Sequence, residues 1–212
     1  MKYNSKRQDK RKDKGWIVKN DRPEEYLVNP AFYYTDEEVE SYARSGGMRR
    51  AQERLAARVL DFLDLKKSSK ILDIGAGPGY TAGVYRANGH EVTCIDLIPK
   101  MVEKAKEKGF KSVQGDMRDL KKLFPKSKYN AVVSVSALQW IKGKEDLKRV
   151  AEGIYYVLSS GGRIVIQFYP KSKEEAKSIC KIFNESGFNG DLVIENEDIP
   201  KNRTVFLVMK KE

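Results

Sequence analysis

The chain has 212 residues, with 41 lysines and arginines against 30 aspartates and glutamates, and a net charge of +11. Apolar residues make up 40% of it and aromatic residues 10%, too much of both for a generally disordered protein. No apolar run approaches the ~18 residues that a membrane-spanning helix needs, so we expect no membrane partner. The first residues also lack the apolar core of a secretory signal.

The few histidines and cysteines of the chain limit the kinds of site that it can form. The single His90 argues against a histidine pair, and with no cluster of zinc ligands in the sequence we predict no metal site. Cys94 and Cys180 are 86 residues apart and make no disulfide framework. Such cysteine usage favours a reducing compartment, and we therefore expect a cytoplasmic protein.

The positive charge is concentrated at the N-terminus. Residues 1–22 carry nine basic and three acidic side chains, a balance of +6. We predict a disordered basic arm over residues 1–20, because the segment is polar, charged and aperiodic. Such an arm attracts polyanions, RNA above all, but a solubilising tail has the same composition, and both interpretations stay open.

Residues 21–69 are predicted to form an aromatic-rich cover followed by a helix. From Met48 to Leu65 apolar residues recur at helical spacing. Aromatic residues are dense just before that helix, in a stretch that does not have the pattern of a core segment. We interpret them as a cover over a site. They are Tyr26, Phe32, Tyr33, Tyr34 and Tyr42.

From residue 70 to residue 212, short β-branched runs alternate with helical segments. This alternation predicts an α/β fold with a doubly wound, seven-stranded, mostly parallel sheet and helices on both faces. The last two runs have no obvious helix between them, so we expect the last strand to be antiparallel. The predicted strands are Lys70–Ile74, Glu91–Ile95, Ser112–Gln114, Ala131–Val135, Arg163–Phe168, Leu192–Glu195 and Thr204–Met209.

A glycine-rich turn follows the first predicted strand. Gly75, Ala76, Gly77 and Gly79 lie between that strand and a helix, where the backbone can approach a ligand closely. A bare tight turn, or a nicotinamide site, would use the same glycines. The turn alone therefore does not identify the ligand.

Acidic residues at three successive strand ends favour S-adenosylmethionine (SAM). Asp73 can meet the ammonium of a methionine moiety, and Asp96, 19 residues after Gly77, can accept from both ribose hydroxyls, although it can also cap a helix. Asp116 can accept from the adenine amino group, with Met117 packed on the ring. Leu97 and Ser134 complete the predicted cofactor set, because the carboxyl ends of parallel strands form the ligand edge of such a sheet.

The pattern resembles that of the class I SAM-dependent methyltransferases, over roughly residues 48–212. The resemblance implies a Rossmann-like sheet and SAM as the cofactor. Enzymes that methylate a pyrimidine carbon use a nucleophilic cysteine, but Cys94 falls inside a strand and Cys180 on a helix. Enzymes that methylate an exocyclic amine carry an Asn/Asp-Pro-Pro-aromatic turn, and the stretch Ser134–Trp140 has none.

The acceptor is therefore expected to be an atom with a free lone pair, such as guanine N7. Its methylation needs alignment rather than a general base. We predict that Gln139 reads a base edge and that Trp140 stacks on a base, although Trp140 can also be a core aromatic. Tyr169 and Pro170, at the end of the fifth strand, are predicted to line the same pocket.

Longer strings are similar to the small-subunit rRNA guanine-N7 methyltransferases of ribosome biogenesis. They are Arg22-Pro23-Glu24 with Phe32-Tyr33, Gln52 through Arg58, Ser134 to Trp140, Gln167-Phe168-Tyr169-Pro170, and Ser186-Gly187-Phe188-Asn189-Gly190-Asp191. The resemblance implies N7-methylation of a guanosine in small-subunit rRNA. A small-molecule methyltransferase, or a SAM-binding assembly factor whose methylation is dispensable, remains the alternative.

The same resemblance implies a small zinc-ribbon activator subunit. We expect it at the third strand, around Lys111–Gln114, because that strand should lie at the sheet edge and can pair with another chain. Phe110 and Val113 would supply apolar contact, unless they pack on this chain's own helices.

Overall fold

The computed structural model describes residues 29–66, 68–199 and 203–212. Three features of the sequence analysis lie outside these ranges: the predicted arm 1–20, Tyr26 and the string Arg22-Pro23-Glu24. The helices are α1 (Asp36–Arg44), α2 (Gly46–Leu63), α3 (Tyr80–Ala87), α4 (Pro99–Glu107), α5 (Leu120–Leu123), α6 (Lys144–Val157) and α7 (Lys173–Glu185). The strands are β1 (Lys70–Ile74), β2 (Glu91–Asp96), β3 (Lys111–Gln114), β4 (Tyr129–Val135), β5 (Leu158–Phe168), β6 (Phe188–Glu195) and β7 (Thr204–Lys211). Short 3-10 helices cover Pro30–Phe32, Met117–Asp119 and Leu138–Trp140.

The strands of the described part form one seven-stranded sheet in the order β3-β2-β1-β4-β5-β7-β6. Strands β1 to β5 pair in parallel, whereas β7 runs antiparallel to both β5 and β6. This confirms the predicted doubly wound sheet with an antiparallel last strand. The strand order reverses beside β1, between β1 and β4, which is where ligands bind in such sheets.

Two apolar layers bury the central strands. On one face, Val59 of α2 and Tyr85 of α3 pack with Ile71 and Val133. On the other, α6 and α7 contribute a cluster that includes Val150, Ile154 and Phe183. Because both faces are covered, the parallel strands are apolar on both sides. No helix within the described ranges is both long enough and apolar enough to cross a membrane.

Two strands begin four or more residues before their predicted first residue. Strand β5 begins at Leu158 rather than Arg163, because residues before its glycines already pair with Tyr129 across a bulge. Strand β6 begins at Phe188 rather than Leu192, and Gly190 inside it has a φ of +155°. A Cβ there would lie 2.3 Å from the carbonyl oxygen of Val208, so a glycine lets the two strands approach.

Helix α1 was not predicted from periodicity, yet its start carries a recognisable signal. The Thr35 hydroxyl accepts from the Glu38 N–H at 3.3 Å, and three acidic residues occupy the first turn. Side-chain capping and acidic residues near a helix N-terminus both stabilise it. The helix is mostly polar and buries only Val39, which explains its weak apolar pattern.

Candidate functional site

A cavity of about 690 Å³ opens at the carboxyl ends of the central strands, within the usual size range of ligand pockets. Ten predicted site residues line it: Gly75, Ala76, Gly77, Asp96, Leu97, Asp116, Met117, Gln139, Trp140 and Tyr169. Four others, Asp73, Gly79, Ser134 and Pro170, do not. Ten of the fourteen predicted site residues thus lie at this cavity, where they make up about a third of the residues in its wall.

The glycine loop requires glycine at its first position. Gly75 has a φ of +71°, and a Cβ there would lie 2.3 Å from the Cβ of Ala137. The N–H groups of Gly75 and Ala76 both donate to the Ile95 carbonyl, at 2.8 and 3.1 Å. Gly79 serves packing instead, since a Cβ on it would lie 2.9 Å from the Phe110 ring.

Asp96 stands at the end of β2 with its carboxylate held by the backbone. One oxygen accepts from the Gly77 N–H at 2.8 Å and the other from the Ile98 N–H at 2.9 Å. Burial raises its pKa, while these hydrogen bonds act in the opposite direction. The residue therefore fastens the glycine loop, orders the entry to α4 and still borders the cavity, so the capping and ligand interpretations are compatible.

Asp116 is engaged by an arginine that the sequence analysis missed. Arg118 donates to both Asp116 oxygens, with Nη2 at 2.5 Å from Oδ2, and its Nη1 donates to Asp146 at 2.8 Å. Burial disfavours the charged form of Asp116, but the Arg118 hydrogen bonds outweigh it and lower the pKa. An Asp116–Arg118–Asp146 triad therefore forms the wall where an adenine amino group was expected.

Asp73 and Ser134, both in the predicted cofactor set, lie outside the wall of the cavity. Asp73 is 1% exposed and accepts from the Thr81 hydroxyl at 2.5 Å, while its Oδ1 is buried with no hydrogen-bond partner within the described part of the chain. Burial raises its pKa to about 7. Ser134 is fully buried, and its hydroxyl donates to the Ile74 carbonyl. The Asp73 side chain is turned to Thr81, which does line the cavity, and the Ser134 side chain to the backbone of β1.

The loop after β4 presents one unsatisfied acceptor. Ser136 has a φ of +58°, rare for a non-glycine residue, and its N–H and hydroxyl bond to Gln167 at 3.0 and 2.9 Å. Its carbonyl accepts from the Gln139 amide nitrogen at 2.9 Å. The Gln139 Oε1 is buried and has no hydrogen-bond partner among the described residues, and the residue itself borders the cavity.

Aromatic rings close the cavity from the N-terminal side. Trp140 lies 6.0 Å from the Tyr34 ring, Tyr34 lies 6.3 Å from Tyr42, and Tyr42 stacks on Tyr80 at 6.1 Å. The Tyr80 hydroxyl donates to the Ala43 carbonyl at 2.7 Å. Trp140 is half-buried in this wall rather than in the core. Of the aromatic residues predicted to form a cover, Tyr34 and Tyr42 line the cavity, whereas Phe32 and Tyr33 do not, and Phe32 is 75% exposed.

Some lining residues carried no signal of a ligand site in the sequence. Tyr80 and Met48 reach the cavity from helix starts, where periodicity gives no hint of a ligand, whereas Gln52 begins one of the strings that resemble the family. The string around Arg58 has a structural role, since Arg58 Nε donates to Glu195 at 2.5 Å and joins α2 to β6.

Strand β3 lies at the sheet edge as predicted, with one correction. Phe110 is 6% exposed and packs on this chain, with the Arg86 guanidinium 4.0 Å from its ring centre. Phe110 is therefore not available as an apolar contact for another subunit. Val113 is half-buried against the core.

Comparison with known proteins places this geometry in a family. A methyltransferase domain model matches residues 72–166. The chain is 31% identical over 190 residues to the 18S rRNA (guanine(1575)-N(7))-methyltransferase of Saccharomyces cerevisiae, covering 84% of this chain and 68% of that protein. It is 30% identical over 194 residues to the 18S rRNA (guanine-N(7))-methyltransferase of Bos taurus, covering 85% and 68%.

Other matches share the fold or part of the chain. Trans-aconitate 2-methyltransferase of Mycobacterium tuberculosis is 35% identical over 107 residues, covering 50% of this chain and 38% of that protein. A Haloferax volcanii methyltransferase structure, in complex with the Trm112 methyltransferase activator, aligns with a TM-score of 0.67 and 17% identity over 82% of this chain and 98% of that chain. The PH0226 protein of Pyrococcus horikoshii aligns with a TM-score of 0.66 and 19% identity over 89% and 99%.

The two structural alignments show a shared fold, and the longer sequence matches, over 84–85% of this chain, are more specific. They span the glycine loop, the strand-end acids and the loop that carries Gln139 and Trp140. The chain is a SAM-dependent methyltransferase and belongs to the family of the 18S rRNA guanine-N7 methyltransferases.

Proposed function

We propose that the protein methylates N7 of a guanosine in small-subunit rRNA, with SAM as the methyl donor. The observation that carries the substrate is the buried Gln139 Oε1, an acceptor without a partner within the described residues. Guanine offers N–H donors on its Watson–Crick edge, opposite N7, and a site built to accept such a donor discriminates against bases that lack it.

The cavity residues suit a SAM molecule. The glycine loop lets the backbone approach, and the Asp96 carboxylate borders the cavity at a strand end, where a ribose is usually bound. Asp116 and Met117 line the part of the wall that would face an adenine. When bound, SAM supplies a methyl group on a positively charged sulfur.

The chemistry assigned to this chain is positioning. Within the described residues, no histidine lines the cavity. The carboxylates of Asp96, Asp116 and Asp146 all accept hydrogen bonds from this chain. Guanine N7 has a free lone pair, so the site needs to align it and exclude water rather than remove a proton. The aromatic wall and Gln139 serve these two purposes.

Two measurements test this assignment. Incubation of small-subunit rRNA with SAM and the protein, followed by nuclease digestion and mass spectrometry, should yield N7-methylguanosine. Calorimetry should show SAM binding that Asp96→Ala weakens by about 10- to 100-fold, since charge-assisted hydrogen bonds contribute about 1.5–3 kcal/mol. Methylation of a small carboxylic acid in place of RNA, or preferential binding of NAD, would overturn it.

We further propose that a small activator subunit, of the zinc-ribbon type implied by the family resemblance, pairs with β3. Support comes from the edge position of β3, which in the described part pairs only with β2, and from the activator in the Haloferax volcanii complex. An unpaired edge offers backbone donors and acceptors to an added strand.

The two sheet edges provide a matched pair of variants. Val113 on β3 and Val193 on β6 are both half-buried valines on edge strands. Co-expression with the host's zinc-ribbon subunit should give a 1:1 heterodimer. Val113→Glu should dissociate it, while Val193→Glu should not. A heterodimer equally sensitive to both variants, or no heterodimer at all, would contradict the proposed edge.

A further inference from the structure

A second cavity of about 240 Å³ adjoins the first. It lies beyond the end of β5, between the loop before α6 and the helix α7. The two cavities share Gln139, Ile141, Lys142 and Tyr169 as wall residues. Pro170, predicted to line the methylation pocket, lines this second cavity instead. These shared residues place the two cavities side by side.

The second cavity has an apolar floor. Leu147 of α6, Phe168 of β5 and Ile179 of α7 are all buried and line it, with the partly buried Ile182 beside them. Its volume falls below the range of about 300–1,000 Å³ that is typical of pockets enclosing a whole ligand. Such a space suits one flat, apolar part of a larger molecule.

The rim of the second cavity is cationic. Lys142, Lys144 and Lys171 line it against one acidic residue, Glu175. The Glu175 carboxylate accepts from the Lys171 backbone N–H, which keeps it at the start of α7, and Lys142 Nζ donates to the Gln139 carbonyl at 2.7 Å. Helix α6 begins at Lys144, and the acidic residues of its first turn, Glu145 and Asp146, do not line this cavity.

We propose that the second cavity binds the nucleotide next to the methylated guanosine, with its base on the apolar floor and its phosphate at the lysine rim. This inference rests on the proposed function, because it needs a polynucleotide substrate. Proteins that read single-stranded RNA splay consecutive bases into separate apolar or stacking sites and follow the backbone with basic groups. A flat apolar group joined to an anion is the chemistry that this floor and rim complement.

Fluorescence titration with short oligoribonucleotides tests the proposal directly. Each probe carries one guanosine, with 2-aminopurine on its 5′ or its 3′ side. The wild-type protein should change the fluorescence of one of the two probes more strongly, because the neighbouring base enters the cavity. An abasic site at that same position should weaken binding at least several-fold.

Lysines on α6 and α7 that lie outside the cavity supply the control. The variant Lys144→Glu/Lys171→Glu should bind the probe at least tenfold more weakly, and its salt slope should fall by about 0.7 for each lost phosphate contact. Lys148→Glu/Lys177→Glu changes the charge equally on α6 and α7, but at exposed positions outside the cavity, and should bind almost as tightly as wild type. SAM affinity measured by calorimetry should be unchanged in both, which also shows that both are folded.

The outcomes separate this inference from the proposed function. If the wild type forms N7-methylguanosine but both double variants bind RNA alike, the second cavity is not a nucleotide site and the proposed function stands. If the wild type forms no N7-methylguanosine, the proposed function fails. Loss of probe binding in the cavity variant alone then still supports a nucleotide site.

Discussion

At the scale of single residues, the site depends on polar groups whose hydrogen bonds are divided between the fold and the cavity. Asp96 uses both oxygens for the backbone yet borders the cavity, and Asp116 is held by Arg118. Gln139 has its amide nitrogen on Ser136 and its oxygen unsatisfied. Because each orientation is fixed before any ligand arrives, little ordering cost remains at binding.

Gln139→Met tests the residue to which we assign base recognition. The change keeps a similar length but removes both the acceptor and the bond to the Ser136 carbonyl. We expect kcat/KM for RNA to fall by about tenfold or more, since a lost hydrogen bond at a buried site costs about 1–3 kcal/mol. SAM affinity should stay within twofold. Equal turnover by the variant and the wild type would place base recognition elsewhere.

Asp73 makes the folded protein less stable as the pH rises, the reverse of the usual effect of an aspartate. Its pKa is about 7 in the folded chain, whereas an aspartate in the unfolded chain titrates near 4. The folded state therefore binds more protons between pH 4 and 7. The contribution of Asp73 to the free energy of unfolding falls across that window, by at most about 4 kcal/mol, and is constant above it.

Asp73→Asn removes this titration while an amide oxygen can still accept from Thr81. Urea unfolding of both proteins at several pH values isolates the effect of one group. The variant should gain stability relative to wild type as the pH rises from 5 to 8. A difference in unfolding free energy that stays constant over this range would show that the Asp73 pKa is not raised.

At the scale of elements, sequence reasoning succeeded where one strand or turn carries its own signal. Asp96 and Asp116 were found because parallel strands end at a common edge, and Gly75 because a close approach excludes a side chain. Arg118 and Tyr80 were missed, since Arg118 connects its neighbour Asp116 to Asp146 on α6, and Tyr80 binds the carbonyl of Ala43 on α1. Such pairings depend on tertiary packing, which local periodicity does not encode.

Two glycine-to-alanine changes, one expected to lower stability and one to raise it, test the packing of a strand and of a helix. Gly190→Ala puts a Cβ 2.3 Å from the Val208 carbonyl oxygen, so β6 and β7 must separate and stability should fall. Gly83 lies inside α3, and a Cβ added to it would meet no neighbouring atom within 4 Å, so Gly83→Ala should raise stability by about 0.5–1 kcal/mol. Thermal unfolding compares both with wild type, and a stabilised Gly190→Ala variant would contradict the close strand approach.

At the scale of the whole molecule, charge is distributed unevenly. Of the net charge of +11, the first 22 residues contribute +6, and the remaining +5 is spread over 190 residues. An enzyme that selects one guanosine within a long polyanion needs both a general attraction to phosphates and a local means of discrimination. In this chain the N-terminal basic segment can supply the general attraction to phosphates, while Gln139 and the second cavity supply the local discrimination.

Deleting residues 2–19 separates these two contributions. The deletion removes eight basic and two acidic side chains. If these residues contact phosphates, RNA affinity should fall and the dependence of log affinity on log salt should become less steep, by about 0.7 per contact on a single strand. SAM affinity and the preference for one flanking position should be unchanged, because both depend on the cavities. A salt slope identical to that of the full chain would instead assign the segment a solubilising role, since repulsion between its like charges alone keeps chains apart in solution.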